Sequence, residues 1–389
     1  MTTTTSPPQL FLAAGEVSGD VHGAALAQAL RALAPEVELV GWGSHRMKEA
    51  GVTVVEDLVP HAAVGLTENL GAVRPAARAI KAARAWLSRR KPACVVLIDY
   101  QGANMVLARH AREMGIPTVY YISPQEWIWG FKGGPAKVAK QVDRILCIFE
   151  REAKVYRDAG GQVRFVGHPL LDQAPEAKRL ADLRGRLGIP AGAPVLGLFP
   201  GSRRAEIGRL VPPMVAAARA LRSEIPDLEV VMPLASPHFR DLVAELAGSA
   251  ARVVEDAPGI DVLALCTAAL VASGTVTLEA AVVGTPVVAA YRVSPLTAFL
   301  ARKVFGISHV TLPNIIAGRE IIPELLQERA NPEAMVAQIR PLLQPGARRD
   351  AAVADLAHVR GLLGERGATR RAAAEILAAA GLIGLEHPA

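Results

Sequence analysis

Short apolar runs alternate with helix-periodic segments along the first half of the chain. The run QLFLAA at 9–14 is closed by GEVSGD and followed by VHGAALAQALRALA, where apolar side chains recur at helical spacing. That order predicts strand, loop and helix, the opening unit of an open parallel sheet. The runs VELVGWG, CVVLID, TVYYIS and DRILCIF repeat the theme, separated by helical patterns such as NMVLARHAREMG. Alternation of this kind predicts a doubly wound domain. Beyond VRFVGHPLLD the chain turns polar and broken, through QAPEAKRLADLRGRLGIPAGAP, which places a linker near 170–190. The pattern then restarts with VLGLF, LEVVMPL, ARVVE, AALVAS and PVVAAY as strands. The expected fold class is therefore α/β, with two Rossmann-like doubly wound domains facing across a cleft. No repeat of solenoid period is present.

One stretch tests that reading. VLALCTAALVASGTVTLEAAVVG is long and apolar enough to suggest a membrane span, but Ser273, Gly274, Thr275, Thr277 and Glu279 interrupt it. It reads as strand, glycine turn and helix. The N-terminal MTTTTSPP has neither a basic segment nor a long apolar one, so no secretory signal is expected.

Composition adds size and charge. The 389 residues exceed one comfortable core and suit two domains. A hydrophobic content of 51% with 4% aromatics fits an Ala- and Leu-rich α/β protein. Forty-three Lys and Arg against 37 acidic residues leave a net charge of +6, which favours anionic partners. Nucleic acid is not among those expected, because the basic residues are dispersed and no reading module occurs. Cys94, Cys147 and Cys266 stand far apart in apolar surroundings and read as core residues of a reducing compartment.

Two segments of the second half carry binding chemistry. In LFPGSRRAEI, a strand ends at a tight turn through Pro200, Gly201 and Ser202, and Arg203 opens the next helix. Free helix-terminal N–H groups beside a fork-shaped guanidinium suit a pyrophosphate, although the same residues also make an ordinary solvent-facing turn. In ASGTVTLEA, Ser273, Gly274 and Thr275 end a strand and Glu279 lies in the first turns of the following helix. A carboxylate there can accept from two ribose hydroxyls, or serve as a capping partner. Neither a Walker A loop nor a complete G-x-G-x-x-G is present, GWG at 41–43 lacking the third glycine. No D-x-D pair and no H-x-x-x-H pair occurs, so no metal is expected.

In the first half, Asp99 follows the buried run CVVLI and should emerge at its C-terminal end, as a base or as a helix cap. Glu16, Asp20 and His22 border the first loop and compete for the role of base or acceptor contact; a packed structural role for His22 is the plainer reading.

GEVSGD, LIDYQGAN, YISPQEWIWG, LFPGSRRAEI, ASGTVTLEA and VTLPNIIAGREIIPELLQE occur in this order. Together they resemble the lipid-A-disaccharide synthases, glycosyltransferases of GT-B fold, from about Phe11 to about Glu328. The resemblance implies an inverting transfer of 2,3-diacylglucosamine from its UDP donor to the 6-hydroxyl of 2,3-diacylglucosamine 1-phosphate, without a cofactor. It implies Asp99 as the catalytic residue, and Gly201, Ser202, Arg203, Ser273, Gly274, Thr275, Glu279, Asn314 and Glu320 around the UDP-sugar. Glu16, Ser18, Asp20, His22, Asn104, Gln125 and Trp127 would form the acceptor side. The corresponding domains are 1–172 for the acceptor and 173–364 for the donor. A C-terminal helix in 365–389 would pack on the first domain or exchange with a partner in a homodimer.

Two departures bear on the acceptor. The family pattern I-D-[AS]-P-D-F-N reads IDYQGAN here, with Gly102 in place of the second Asp, and SPQEWIWG carries Gln125 and Glu126. A related acylated amino sugar, a UDP-sugar 2-epimerase activity and a binding protein without turnover are the alternatives. A lipid substrate also implies a membrane surface. In 70–91, Val73, Ala77, Ile80 and Leu87 recur at helical spacing beside Arg74, Arg78 and Lys81. Trp127, Trp129, Phe131 and Lys132 form a second amphipathic group. Peripheral attachment to the inner face of the cytoplasmic membrane is expected, without insertion.

Overall fold

A computed structural model describes residues 7–57, 69–125, 133–292 and 309–384. The chain divides into two compact units, Met1–Asp172 with Leu363–Ala389, and Gln173–Leu362.

The first unit is built on strands β1 (Gln9–Ala14), β2 (Glu38–Trp42), β3 (Thr53–Glu56), β4 (Cys94–Ile98), β5 (Thr118–Tyr121), β6 (Arg144–Cys147) and β7 (Val163–Phe165). They form one sheet in the order β3-β2-β1-β4-β5-β6-β7, and all the pairings are parallel. In the second unit β8 (Val195–Phe199), β9 (Glu229–Pro233), β10 (Arg252–Val254), β11 (Ala268–Ala272), β12 (Val287–Tyr291) and β13 (Glu324–Leu326) form a parallel sheet. Its order is β10-β9-β8-β11-β12-β13. Both sheets are thus doubly wound, as the sequence predicts.

The central strands explain why the pattern was visible. Residues 10–14 of β1 and all of β4, β8 and β11 are buried. A parallel strand covered by helices on both faces must be apolar throughout. Strand order reverses between β1 and β4, and again between β8 and β11. At such a switch point the loops run to opposite faces of the sheet and leave a crevice at the strand C-termini. The four turns after β1, β4, β8 and β11 are therefore the favoured places for chemistry.

Three details differ from the sequence reading. The first helix, Val17–Leu33, begins inside GEVSGD, so only Gly15 and Glu16 separate it from β1. The helix Asn69–Arg90 buries Ala79, Ala83 and Leu87, while Ala77 is exposed; the side chains of Val73 and Arg74 lie outside the described residues. The short strands β3, β7 and β13 join the sheet edges without having been foreseen.

The last helix, Ala368–Ala379, packs against Val17–Leu33 in its own first unit. Arg144 Nη1 donates to Glu375 Oε2 at 2.6 Å, and Gly367 N donates to Asp172 Oδ1 at 2.5 Å. No helix among the described residues is long and apolar enough to cross a membrane.

Candidate active site

At the first switch point, β1 leads through Gly15 and Glu16 into its helix, and β4 leads through Asp99 and Tyr100 into the helix Gln101–Glu113. Asp99 and Tyr100 both adopt the left-handed conformation, with φ of 51° and 46°. The double turn lays the Tyr100 ring over Gly15: a Cβ on Gly15 would stand 2.2 Å from a ring carbon, so only glycine fits beneath it. Ser18 Oγ donates to Asp99 Oδ2 at 3.1 Å.

The carboxyl of Glu16 is held above its ordinary value, first by burial and then by the charge of Asp99. Burial lowers the imidazole of His22, against the opposing pull of Asp99, so His22 favours its neutral form. Glu16, Ser18, His22 and Asp99 are thereby brought into one electrostatic group.

Asp20 is not part of it. Its carboxylate is buried and accepts from the backbone N–H groups of Ser44 at 2.7 Å, Arg46 at 3.2 Å and Met47 at 3.2 Å. It caps the short helix His45–Glu49, whose first amides would otherwise lack partners. Asn104 is fully buried, and its amide is directed at backbone carbonyls around Asp99. Gln125 is half-buried beyond the end of β5. Glu126, Trp127, Trp129, Phe131 and Lys132 lie outside the described residues.

At the second switch point, Gly201 takes φ of 102° and Arg203 precedes the helix Arg204–Glu224. The turn already holds an anion of its own. Glu206 Oε2 accepts from the backbone N–H groups of Ser202 at 3.1 Å and Arg203 at 3.3 Å, and Oε1 accepts from Arg203 Nη1 at 2.7 Å. A Cβ at residue 201 would fall 2.3 Å from Glu206 Oε2, which adds close packing to the positive φ as a reason for glycine. The motif reading passed over Glu206, although a glutamate at the third helical position is the recognisable half of a capping box.

Beside this turn in the sheet order, Ser273 Oγ donates to the carbonyl of Val310 at 3.1 Å, and Gly274 and Thr275 are exposed. Glu279 is mostly buried, and burial pushes its carboxyl up to about 7. Among the described residues no hydrogen bond reaches that carboxyl.

Asn314 and Glu320 depart from the expected arrangement. Asn314 spends its amide internally: Oδ1 accepts from Ile321 N at 2.8 Å and Ile322 N at 2.9 Å, while Nδ2 donates to Ile322 O and Glu324 Oε1, each at 2.8 Å. Glu324 in turn accepts from Thr311 N at 2.9 Å and Val310 N at 3.0 Å. This pair braces the segment that Ser273 touches, and it presents no free amide to a ligand. Glu320 is exposed and lines a cavity with Pro286, Val287 and Pro323. Those residues precede or begin β12 and β13, so Glu320 lies at the strand N-termini, the opposite edge of the sheet from Ser273.

The sequence model of the family described as Lipid-A-disaccharide synthetase matches residues 10–378. The chain belongs to this family. A lipid-A-disaccharide synthase of Myxococcus xanthus is 39% identical over 375 residues, covering 96% of this chain and 98% of the relative. One of Geobacter sulfurreducens is 38% identical over 371 residues, covering 95% and 96%.

Among solved structures, a putative UDP-N-acetylglucosamine 2-epimerase from Listeria monocytogenes superposes with a TM-score of 0.65 at 15% identity, covering 99% of each chain. The calicheamicin glycosyltransferase CalG4 gives 0.61 at 16% identity, covering 98% of this chain and 100% of its own. At such identities the likeness concerns the fold alone, the GT-B pair of doubly wound units. Synthases and epimerases share it, and sequence, not architecture, places this chain with the synthases.

Within that family the two switch points have distinct chemical capacities. The first offers an ionisable carboxylate steadied by a hydroxyl. The second offers a turn whose N–H groups accept an anion and, at Glu279, a buried carboxyl with no hydrogen-bond partner among the described residues. Among the described residues, no three His, Cys, Asp or Glu side chains converge to hold a metal ion.

Proposed function

We propose that the chain condenses UDP-2,3-diacylglucosamine with 2,3-diacylglucosamine 1-phosphate, giving a β-1,6-linked disaccharide 1-phosphate and UDP, with Asp99 as the base. Family membership supports the reaction. One observation supports the base: Ser18 holds Oδ2 of Asp99, while among the described residues Oδ1 takes no hydrogen bond. One oxygen is fixed and the other is left to accept a proton. Burial and the charge of Asp99 hold the carboxyl of Glu16 above its ordinary value, and Glu16 borders the same corner.

The 6-hydroxyl oxygen attacks the anomeric carbon of the donor from the face opposite the diphosphate. Its proton passes to Asp99, and the bond to UDP breaks with its electron pair on the departing phosphate. The growing negative charge is met by Arg203 and the N-terminal end of the helix Arg204–Glu224. Glu279 accepts from the ribose hydroxyls, and Gly201, Ser202, Ser273, Gly274 and Thr275 form the nucleotide's bed. Glu16, Ser18, His22 and Gln125 border the acceptor.

The decisive experiment is Asp99→Asn, which keeps shape and removes basicity. Incubated with both lipid substrates, it should lose about 10²–10⁴-fold in turnover while binding UDP as the parent does. A folded variant with undiminished turnover would overturn the assignment.

The acceptor and donor are lipids, and the helix Asn69–Arg90 exposes Arg78, Lys81 and Arg84 away from its buried stripe. That face is suited to rest on anionic headgroups of the inner leaflet. Exchange of C-terminal segments in a homodimer would replace the contacts of Ala368–Ala379 by the same contacts between copies.

A further inference from the structure

The left-handed corner at the end of β4 needs an explanation. For residues other than glycine, each such conformation costs roughly 1–2 kcal/mol, and here Asp99 and Tyr100 adopt it in succession. Strain of this kind persists only where the surroundings over-determine it.

Two buried side chains do so, and both act on one atom. The carbonyl oxygen of Asp99 accepts from Tyr120 Oη at 2.8 Å and from Asn104 Nδ2 at 2.8 Å. Asn104 Nδ2 also lies 3.2 Å from the carbonyl of Ala13 and 3.3 Å from that of Ile98, so it ties the ends of β1 and β4 to the same corner. Tyr120 comes from the neighbouring strand β5, where it pairs with Leu97 in register. Both side chains have no solvent exposure.

The orientation of Asn104 has a cost of its own. Its Oδ1 is buried without a hydrogen-bond partner among the described residues, an omission worth about 1–3 kcal/mol. The amide nevertheless faces the three carbonyls, which can only accept.

We propose that Tyr120 is a positioning residue for the transfer: with Asn104 it clamps the Asp99 carbonyl, fixing the corner that turns Oδ2 of Asp99 to Ser18 and leaves Oδ1 for the acceptor hydroxyl. The inference rests on the reading of Asp99 as base. Tyr120 touches no substrate and acts through the backbone it holds.

The test is Tyr120→Phe, which removes one oxygen atom from a packed ring. Tyr121→Phe is its matched control. Tyr121 is the next residue of the same strand, points to the other face of the sheet, and is equally buried, with no hydrogen bond to its Oη among the described residues. With the two lipid substrates, Tyr120→Phe should lower kcat about 10–100-fold and leave donor KM within about twofold, while Tyr121→Phe keeps the parent kcat. Placed on Asp99→Asn, Tyr120→Phe should add no further loss, because a base already removed cannot be misplaced.

Equal kcat for Tyr120→Phe and Tyr121→Phe, or a loss that multiplies with that of Asp99→Asn, overturns the inference while Asp99 stands. Full turnover by Asp99→Asn itself overturns the underlying reading, and the inference with it.

Discussion

The two switch points are topological twins with opposite electrostatic contents. Each lies where a parallel sheet reverses its order, between β1 and β4 in one unit and between β8 and β11 in the other. In the first, carboxylates stand close together, and the side chain of Asp99 is presented by a strained corner. In the second, backbone N–H groups and Arg203 surround a carboxylate, Glu206, that belongs to the turn itself. In the function proposed above, the same scaffold serves proton removal at one place and anion stabilisation at the other. The difference lies in the turn at the end of each strand: a left-handed pair and a buried clamp in one case, a glycine turn and a helix terminus in the other.

If that division is right, damage to one switch point should leave the partial function of the other intact. At the second switch point the largest effect is expected at Arg203. Arg203→Ala should lower kcat about 10²–10³-fold, because the guanidinium meets charge that grows as UDP leaves. Steady-state kinetics with both lipid substrates measure this, and acceptor KM should hardly move. Unchanged turnover would show that the second turn is not where the leaving charge is met.

Glu279 should give a smaller effect with a distinctive pH dependence. Burial raises its carboxyl to about 7, so between about pH 6 and 8 it passes from acid to carboxylate. Only the carboxylate accepts fully from two ribose hydroxyls. The ratio of UDP affinities, parent over Glu279→Gln, should therefore rise up to ~10-fold across that interval; calorimetry on both proteins cancels the ionisation of UDP itself.

Stability runs the other way. The folded chain retains this proton up to about pH 7, whereas the unfolded chain releases it near the ordinary carboxyl value. More protons bound in the folded state means that stability falls as pH rises through that window. Thermal melts of Glu279→Gln should lack this slope.

How much of this was legible in the sequence depended on whether a residue's partner was implied by its position. The runs of β1, β4, β8 and β11 announced themselves, since strands covered on both faces cannot alternate with polar residues. The edge strands β3, β7 and β13 are only three or four residues long and partly exposed, so no period could develop. Asp99 and the Gly201 turn were visible because they come directly after apolar runs, at strand C-termini.

The partners of Asp20, Asn104 and Asn314 were not visible, because all three side chains bind backbone groups outside the helices that carry them. A residue type suggests a capacity to hydrogen-bond, and only the fold says whether that capacity is already spent. The place of Glu320 in the fold was hidden for a related reason. Motif order carried it along with Asn314, but by that point the chain has crossed to the start of β13 at the far edge of the sheet.

The smallest expected effect is also the one that probes the second switch point most finely. Glu206 gives the turn its shape and at the same time occupies the groups that a diphosphate would use. Glu206→Gln keeps an oxygen acceptor for a backbone amide and removes the charge. A carboxylate near a helix N-terminus contributes about 0.3–1 kcal/mol, so the variant should melt slightly earlier. With the internal anion neutralised, UDP should bind about threefold tighter, in keeping with a change of that size. The two shifts have opposite signs, and this separates competition from simple support of the turn. If Glu206 only maintained the turn, the variant would be less stable and would also bind UDP more weakly. Calorimetric UDP binding beside a thermal melt of the same sample decides between them.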